Sequence, residues 1–306
     1  MTRVLVLGGG PDAERDISIQ SAQGVHDALA GAGLDSTLAI VDTPSPDEVR
    51  GWDADVVFPV LHGRFGEGGR LQGLLEDASV AFVGSGARAS RRAMDKMGTK
   101  LAAARHGIPT LDASILDPDD ERPPIDPPLV IKPVADGSSY GLHLCPDRGA
   151  WDSARIELRA AHRARPDRVS MIEPMVRGRE LTVGVLDDGA GALVALPIVE
   201  ISPASGVYDY QSKYERDDTV YTVSPDLADD LAGDLHRWSL GLCAALGVRH
   251  LARVDFMLDG SGAPHMLEIN TMPGFTASSL LPKAARRHGL DMPALCAHLV
   301  SCAARR

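Results

Sequence analysis

Residues 251–270 read LARVDFMLDGSGAPHMLEIN, two apolar-rich runs on either side of a turn-forming segment. The central DGSGAP is typical of a hairpin connection, so we predict antiparallel strands over Ala252–Leu258 and His265–Asn270. A turn centred near residue 261 sets a register in which Asp255 lies opposite Glu268. Alternation along both strands favours one apolar face and one polar face.

The polar face of this hairpin concentrates charged side chains. Arg253 and Asp255 are two residues apart and share the face, as do Glu268 and Asn270, and the register places Arg253 opposite Asn270. Two opposed carboxylates repel each other, and a hard divalent cation with oxygen ligands removes that conflict. We therefore predict a Mg²⁺ (or Mn²⁺) site at Asp255 and Glu268, completed by substrate phosphates. The alternative is a solvated outer face.

A second polar segment, KPVADGSSYG at residues 132–141, follows a predicted strand. Its backbone amides and serine hydroxyls suit phosphate oxygens, and Lys132 supplies positive charge. Because the lysine precedes the glycines, the segment is not a P-loop. The alternative is a hairpin loop with a surface lysine.

The N-terminal third alternates short apolar runs with helical patterns, which favours a parallel α/β sheet. The turn Gly8–Ala13 fits a loose dinucleotide-binding pattern, but Asp42 is too distant to complete it. The alternatives are a tight structural turn or a turn that presents Glu14 to a ligand. His62 follows a buried strand inside HGRFGEGG, so it is either a structural residue or a ligand contact at the same sheet edge.

Further elements follow from apolar patterning. The runs 80–84 and Leu193–Ile201 predict strands, and residues 87–106 predict a helix with a break near Asp95. The proline-rich stretch 117–128 predicts a linker. Residues 202–220 are polar and lack periodicity, which indicates a long functional loop.

Composition excludes several classes of protein. The net charge of −11 gives no global field for nucleic acid or an anionic membrane, although a pocket with local positive charge can still bind an anionic substrate. The four cysteines form no Cys-x-x-Cys pair, which argues against zinc and disulfide frameworks. No apolar stretch approaches about 18 residues. We expect a soluble cytoplasmic protein without nucleic-acid or membrane partners.

Taken in chain order, these segments resemble the D-alanine–D-alanine ligase family of the ATP-grasp superfamily. The resemblance spans nearly the whole chain. The residues that carry it are Gly8-Gly9-Gly10, Glu14-Arg15, Ser18, His62-Gly63, Gly66-Glu67, Gln72-Gly73, Met94-Asp95-Lys96, Lys132-Pro133, Gly137-Ser138-Ser139, Gly141, Glu173, Glu180, Tyr208-Asp209-Tyr210, Lys213-Tyr214, Arg253, Asp255, Glu268-Ile269-Asn270-Thr271, Pro273-Gly274 and Ser279-Leu280.

The resemblance implies an α/β fold, with α+β character in the ATP-binding part. An N-terminal Rossmann-like parallel sheet would precede an ATP-grasp clasp of two domains around the nucleotide. The implied domains are a substrate-binding domain at residues 1–95, a central ATP-grasp domain at 96–180 and a C-terminal catalytic domain at 181–306. The family also suggests a homodimer.

The resemblance further implies the reaction. The carboxylate of one D-alanine attacks the γ-phosphate of ATP to give D-alanyl phosphate. The amine of a second D-alanine then displaces phosphate, and the dipeptide serves peptidoglycan synthesis.

The implied nucleotide contacts are phosphate-binding lysines, adenine and ribose contacts, and magnesium ligands. The phosphate-binding lysines would be Lys96, Lys132 and Lys213, and Ser138 would belong to the phosphate loop. Glu173 and the Val176 backbone would contact adenine, and Glu180 would contact ribose. The magnesium ligands would be Asp255, Glu268 and Asn270.

The implied substrate and catalytic residues follow the same matching. Arg253 and the amide of Gly274 would stabilise the oxyanion, Glu14 would bind the first ammonium group and His62 would lie near the first carboxylate. Ser279 and the amide of Leu280 would take the second carboxylate. Glu14, Ser138 and Tyr214 would form a hydrogen-bonded set across three domains, on which closure of a lid at residues 205–220 depends.

Two positions depart from the family pattern, and three other functions compete with the ligase. Gly68 stands where the family usually has Asp, and Pro174 where it often has Lys. The competing functions are a D-alanine–D-lactate ligase, a non-catalytic nucleotide-binding protein, and an NAD oxidoreductase based on the Gly8–Ala13 turn. Tyr214 favours the dipeptide ligase over the D-lactate enzyme.

Overall fold

A parallel sheet forms the N-terminal part of the chain, as predicted. The computed structural model describes residues 2–138, 140–204, 206, 208, 216 and 218–305. In the first sheet, strands β1 (Arg3–Gly9), β2 (Asp35–Val41) and β3 (Val56–Pro59) lie in the order β2-β1-β3. Helix α1 (Arg15–Gly31) connects β1 to β2 and buries Ala22, Val25 and Leu29. Five shorter helices in the described part of the chain precede the second sheet: α2 (Pro46–Arg50), α3 (Gly63–Glu67), α4 (Arg70–Asp77), α5 (Ala87–Met94) and, after a break, α6 (Lys96–Arg105).

The predicted helix break at Asp95 is confirmed. Asp95 separates α5 from α6, and its side chain accepts a hydrogen bond from the backbone N–H of Gly98 at 3.0 Å, which caps α6. The predicted strand at residues 80–84 is wrong. The segment makes only a bridge between Phe82 and Val57, because Ser79 and Gly84 have positive φ at its two ends and turn the backbone away.

The second sheet is antiparallel. Strands β4 (Ser114–Ile115), β5 (Leu129–Pro133), β6 (His143–Cys145) and β7 (Ser170–Pro174) lie in the order β4-β7-β5-β6. Helix α7 (Arg148–Ala164) covers one face and contributes the buried Trp151.

The third sheet carries the hairpin. Its strands are β8 (Gly178–Asp187), β9 (Leu193–Ala195), β10 (Val199–Ser202), β11 (Val220–Val223), β12 (Leu251–Asp259) and β13 (Pro264–Asn270). The path is β11-β10-β8-β12-β13, with β9 also pairing β8, and helix α8 (Asp229–Leu246) packs against β8 and β9. The single strand predicted over Leu193–Ile201 is wrong, because Pro197 has no N–H to donate and interrupts the ladder.

The hairpin register is as predicted. Arg253 pairs with Asn270 and Asp255 with Glu268, and a bulge follows between Asp255 and Phe256. Helices α9 (Leu280–Arg287) and α10 (Met292–Ala304) end the chain. Their apolar side chains share one core with the first sheet, where Phe58 packs edge-on against Phe275. The domain boundaries at residues 95 and 180 stay predictions. No helix in the described part of the chain is long and apolar enough to span a membrane.

Candidate active site

Two adjoining cavities collect the candidate residues. The larger, of about 620 Å³, lies between the second and third sheets; the smaller, of about 100 Å³, lies where both meet the first sheet. Every candidate residue that the structure describes lines one of them. The large cavity is lined by Lys96, Lys132, Glu173, Val176, Glu180, Asp255 and Glu268, and the small one by Glu14, His62, Lys96, Ser138, Arg253, Glu268, Asn270, Gly274, Ser279 and Leu280.

Lys96 and Glu268 stand at the boundary between the cavities. Both residues line both cavities, and the Lys96 Nζ lies 3.2 Å from a Glu268 carboxylate oxygen. Lys96 Nζ also donates a hydrogen bond to the backbone carbonyl of Asp136 at 2.7 Å. A group that passes from one cavity to the other therefore meets a buried ammonium beside a carboxylate.

The opposed carboxylates of the hairpin, Asp255 and Glu268, each have a cationic side-chain partner. Arg253 binds Asp255 with two hydrogen bonds of 2.9 Å, from Nε and Nη2, and Thr182 donates to the same carboxylate at 2.5 Å. Glu268 is paired with Lys96, as described above. Each carboxylate therefore has a cationic side-chain partner within the protein, which the strand pattern alone did not indicate. Burial by itself would lower the pKa of Arg253. The charge and hydrogen bonds of Asp255 outweigh this effect and raise the pKa above its usual value, so the guanidinium stays charged.

The donor set still suits magnesium. Asp255 and Glu268 face each other, Asn270 lies on the same face two residues beyond Glu268, and all three offer oxygen ligands. The described residues contain no group of three His, Cys, Asp or Glu side chains placed to hold a metal. Two carboxylates and one amide match the smaller protein ligand set expected for Mg²⁺, which leaves positions for phosphate oxygens.

Gly274 brings its backbone close to Ser279. A Cβ at Gly274 would lie 2.9 Å from the Ser279 Oγ, so a larger residue would displace the serine. The same Oγ accepts a hydrogen bond from the Thr276 N–H at 2.9 Å. Ser279 also stands at the start of α9, where the positive end of the helix favours an anionic group.

Glu14 and Ser138 join the first sheet to the phosphate loop. The Ser138 hydroxyl donates a hydrogen bond to Glu14 Oε1, across 124 residues of sequence. Ser138 has a φ of 49°, a left-handed conformation that is strained for a non-glycine residue. A Cβ at Gly137 would approach Glu14 Oε1 to 2.8 Å, so the close contact requires glycine there.

His62 and Glu67 form a buried pair in the small cavity. The Nδ1 of His62 lies 3.2 Å from Glu67 Oε1, and the Nε2 of His62 is buried with no hydrogen-bond partner among the described residues. Burial would lower the pKa of His62, but the hydrogen bond and charge of Glu67, with the charge of Glu14, raise it above its usual value. Burial, with the charge of Glu67, raises the pKa of Glu14.

Glu173 holds two lysines at the end of the large cavity. Lys132 Nζ lies 2.6 Å from Oε1, and Lys100 Nζ lies 2.9 Å from Oε2. Val176 and Glu180 follow on the chain segment that enters β8, and both line the same cavity.

Some candidates lie outside the described residues, and two residues that contact candidates, Lys100 and Glu67, were given no role. Lys213 and Tyr214, with most of the predicted lid, fall outside the described part of the chain. Sequence reasoning assigned no role to Lys100, although it lies four residues after Lys96 on the same helix. It quoted Glu67 without recognising its partner, though both belong to one short motif.

Comparison with known proteins identifies the family to which this chain belongs. The family model described as "D-ala D-ala ligase C-terminus" matches residues 121–301, and "D-ala D-ala ligase N-terminus" matches residues 42–85. The chain belongs to the D-alanine–D-alanine ligase family. A D-alanine–D-alanine ligase of Bordetella avium (strain 197N) is 41% identical over 307 residues, covering 98% of this chain and 94% of that protein. A D-alanine–D-alanine ligase of Methylacidiphilum infernorum (isolate V4) is 37% identical over 293 residues, covering 96% and 92%.

Solved structures of D-alanine ligases share the fold. The D-alanine–D-alanine ligase from Coxiella burnetii superposes with a TM-score of 0.81 at 28% identity, covering 99% of this chain and 94% of that one. The VanG D-Ala:D-Ser ligase from Enterococcus faecalis superposes with a TM-score of 0.80 at 26% identity, covering 98% and 99%. The ATP-grasp fold class is thereby confirmed, with its parallel N-terminal sheet.

Proposed function

We propose that the chain joins two molecules of D-alanine with ATP, through D-alanyl phosphate, to give D-alanyl-D-alanine, ADP and phosphate. The observation that carries the proposal is the pair of cavities joined at Lys96 and Glu268. A nucleotide in the large cavity would present its terminal phosphate at that boundary, beside a small polar site for an amino acid. The ligases named above support the choice of D-alanine.

In the large cavity, Lys96 and Lys132 supply positive charge for the phosphates. Glu173 and the backbone of Val176 bind the adenine, and Glu180 binds the ribose. Lysine ammonium groups fixed near the phosphates offset the charge that develops during phosphoryl transfer.

Asp255, Glu268 and Asn270 hold the magnesium ion in this proposal. When bound, the ion neutralises phosphate charge and aligns the terminal phosphate. Asp255 keeps its hydrogen bonds from Arg253 and Thr182, which hold its carboxylate in one orientation toward the cavity.

In the small cavity, Glu14 binds the ammonium group of the first D-alanine and His62 lies beside its carboxylate. That carboxylate attacks the γ-phosphorus of ATP and displaces ADP, so one carboxylate oxygen becomes the bridge between carbon and phosphorus in the acyl phosphate. The amine of the second D-alanine, placed by Ser279 and the Leu280 amide, then attacks the carbonyl carbon. Arg253 and the Gly274 amide stabilise the oxyanion.

The contact between Glu14 and Ser138 accounts for two members of the predicted three-residue set. Tyr214, the third member, and Lys213 keep the roles that the family resemblance implies, as predictions. We also propose a cytoplasmic homodimer on the same basis.

A competition assay tests the proposed function. D-Alanine, D-lactate and D-serine are supplied together in equal amounts with ATP, and the products are separated at several values between about pH 6 and 9. D-Alanyl-D-alanine is expected to exceed the ester above about pH 7, because its acceptor is an amine whose reactive neutral fraction rises with pH. It is expected to exceed D-alanyl-D-serine at every pH, because the relatives named above are D-alanine–D-alanine ligases. The ester or D-alanyl-D-serine as the main product throughout would contradict the assignment.

Glu67→Gln is expected to move the pH profile of first-substrate binding. Glu67 raises the pKa of both His62 and Glu14, so its neutralisation lowers both. His62 then loses its positive charge at a lower pH, and Glu14 gains its negative charge at a lower pH. Both limbs of kcat/KM for the first D-alanine should therefore shift toward acid. Rates measured from about pH 5 to 9 give the comparison, and superimposable profiles would refute the pairing.

A further inference from the structure

Arg168 lies behind the phosphate loop, the segment of residues 132–141, and outside both cavities. It stands between α7 and β7, where its backbone N–H donates a hydrogen bond to the Arg165 carbonyl at 3.0 Å. Its side chain is only 19% exposed, and it is not among the described residues that line either cavity. Burying most of a guanidinium group is unfavourable unless the group is paired. The proposed function gives Arg168 no task, so its partners need an explanation.

One guanidinium group contacts two residues of the phosphate loop. Arg168 Nε donates a hydrogen bond of 2.6 Å to Asp136 Oδ2, and Nη2 donates a longer one of 3.4 Å to the Tyr140 carbonyl. The Arg168 Cζ also lies 4.7 Å from the centroid of the Tyr140 ring, a distance at which a cation is attracted to the face of an aromatic ring. The loop is therefore tied to Arg168 through Asp136 and through Tyr140.

These two contacts lie on either side of Ser138. Asp136 comes two residues before Ser138 and Tyr140 two residues after it. The φ of 49° at Ser138 is unfavourable for a residue with a Cβ, and such a conformation persists only where the surrounding contacts fix it. The Tyr140 N–H also donates a hydrogen bond to the Gly137 carbonyl at 3.1 Å. Arg168 therefore constrains the backbone on both sides of the strained residue.

Asp136 is held by two cations from opposite parts of the structure. Lys96 Nζ binds its backbone carbonyl at 2.7 Å, and Arg168 binds its carboxylate. Asp136 lines both cavities, whereas Arg168 approaches it from outside them. The Arg168 contact offsets a negative charge that would otherwise stand unpaired beside the proposed phosphate site. Close packing continues at Gly141, where a Cβ would lie 3.0 Å from the Arg168 Nη2.

We propose that Arg168 is a positioning residue that orders the phosphate loop through Asp136 and Tyr140, so that the loop binds nucleotide phosphates in a conformation it already has. A segment that is ordered beforehand loses less conformational entropy when its ligand binds. The inference rests on the proposed function in that the phosphates of a nucleotide meet this loop. It concerns the phosphates and not the base, which the proposed function places at Glu173 and Val176.

Binding of nucleotides with and without phosphates tests the role of Arg168. Dissociation constants for ADP and for adenosine are measured by calorimetry with Mg²⁺ and without amino acid, in the wild type and in Arg168→Met. The Kd for ADP should rise about tenfold, the loss expected for hydrogen bonds to a charged group, whereas the Kd for adenosine should stay unchanged. Arg165→Met removes a more exposed arginine from the same turn and should change neither constant.

Arg168→Lys separates positioning from charge. Lysine keeps the positive charge but lacks the planar group that contacts Asp136 and Tyr140 together, so the Kd for ADP should rise in this variant too. Arg168→Lys also decides the question if Arg168→Met does not fold. An unchanged Kd for ADP in Arg168→Met, an equal loss of adenosine binding, or wild-type ADP binding in Arg168→Lys would each overturn the proposal.

The same binding measurements separate this inference from the proposed function. A wild type that forms no dipeptide, yet binds ADP more weakly in Arg168→Met with adenosine unaffected, would refute the ligase assignment and keep the inference. Dipeptide formation by the wild type, with equal ADP affinity in the wild type and Arg168→Met, would refute the inference alone.

Discussion

Glu268→Gln is expected to lower kcat by about 10³-fold, the scale seen when a group that stabilises transition-state charge is removed. The change removes a proposed magnesium ligand and, at the same time, the carboxylate that holds Lys96 at the boundary of the two cavities. Phosphate release is measured over a wide range of Mg²⁺ concentrations. Saturation should require much more Mg²⁺ in the variant, and kcat should stay low at saturation.

A control for this loss exists in the same sheet. Glu200 accepts two hydrogen bonds of 2.8 Å from Arg179 and lines neither cavity among the described residues. Glu200→Gln removes an ion-paired carboxylate from the third sheet and should keep near-normal turnover. Normal turnover of Glu268→Gln at limiting Mg²⁺ would show that Glu268 is not a metal ligand.

Arg253→Lys is expected to lower kcat about 10²-fold or more, with little change in KM for ATP. Lysine keeps the positive charge, but it lacks the planar guanidinium group of Arg253. That group makes two hydrogen bonds to Asp255 while Arg253 lines the small cavity. The proposed oxyanion contact would lose its geometry, and the attack of the second amine would slow. Single-turnover measurement of phosphate and dipeptide separates this step from ATP binding.

Arg253→Met should be less stable than Arg253→Lys. Among the described residues it leaves the buried Asp255 with Thr182 as its remaining hydrogen-bond donor, and breaking a buried pair costs about 3–5 kcal/mol. Thermal unfolding of both variants, with Arg179→Met as the exposed control, gives the comparison. Equal kcat in Arg253→Lys and the wild type would exclude Arg253 from the chemistry.

The hairpin shows how far sequence reasoning reaches. Alternation and a recognisable turn were enough to predict that Asp255 faces Glu268, because cross-strand register is a local property once the turn is placed. The partners of those carboxylates were not predictable in the same way. Lys96 comes from a helix distant in sequence, and Arg253 was expected to face the substrate rather than to clamp its neighbour Asp255.

Other differences between prediction and structure have similar causes. The break at Pro197 follows from its missing N–H and was predictable. The contact of Lys100 with Glu173 joins α6 to β7 and depends on how two sheets pack, for which a single sequence contains no periodic signal. Glu67 lay within the quoted motif, but its bond to His62 depends on the short helix α3.

The central claim is that an amino acid carboxylate attacks the terminal phosphate of ATP. D-Alanine labelled with ¹⁸O in its carboxylate tests this directly, with mass analysis of the phosphate released as dipeptide forms. When the amine displaces phosphate, the C–O bond of the acyl phosphate breaks, so the phosphate should carry one labelled oxygen for each dipeptide. Released phosphate without label, alongside dipeptide formation, would contradict the account.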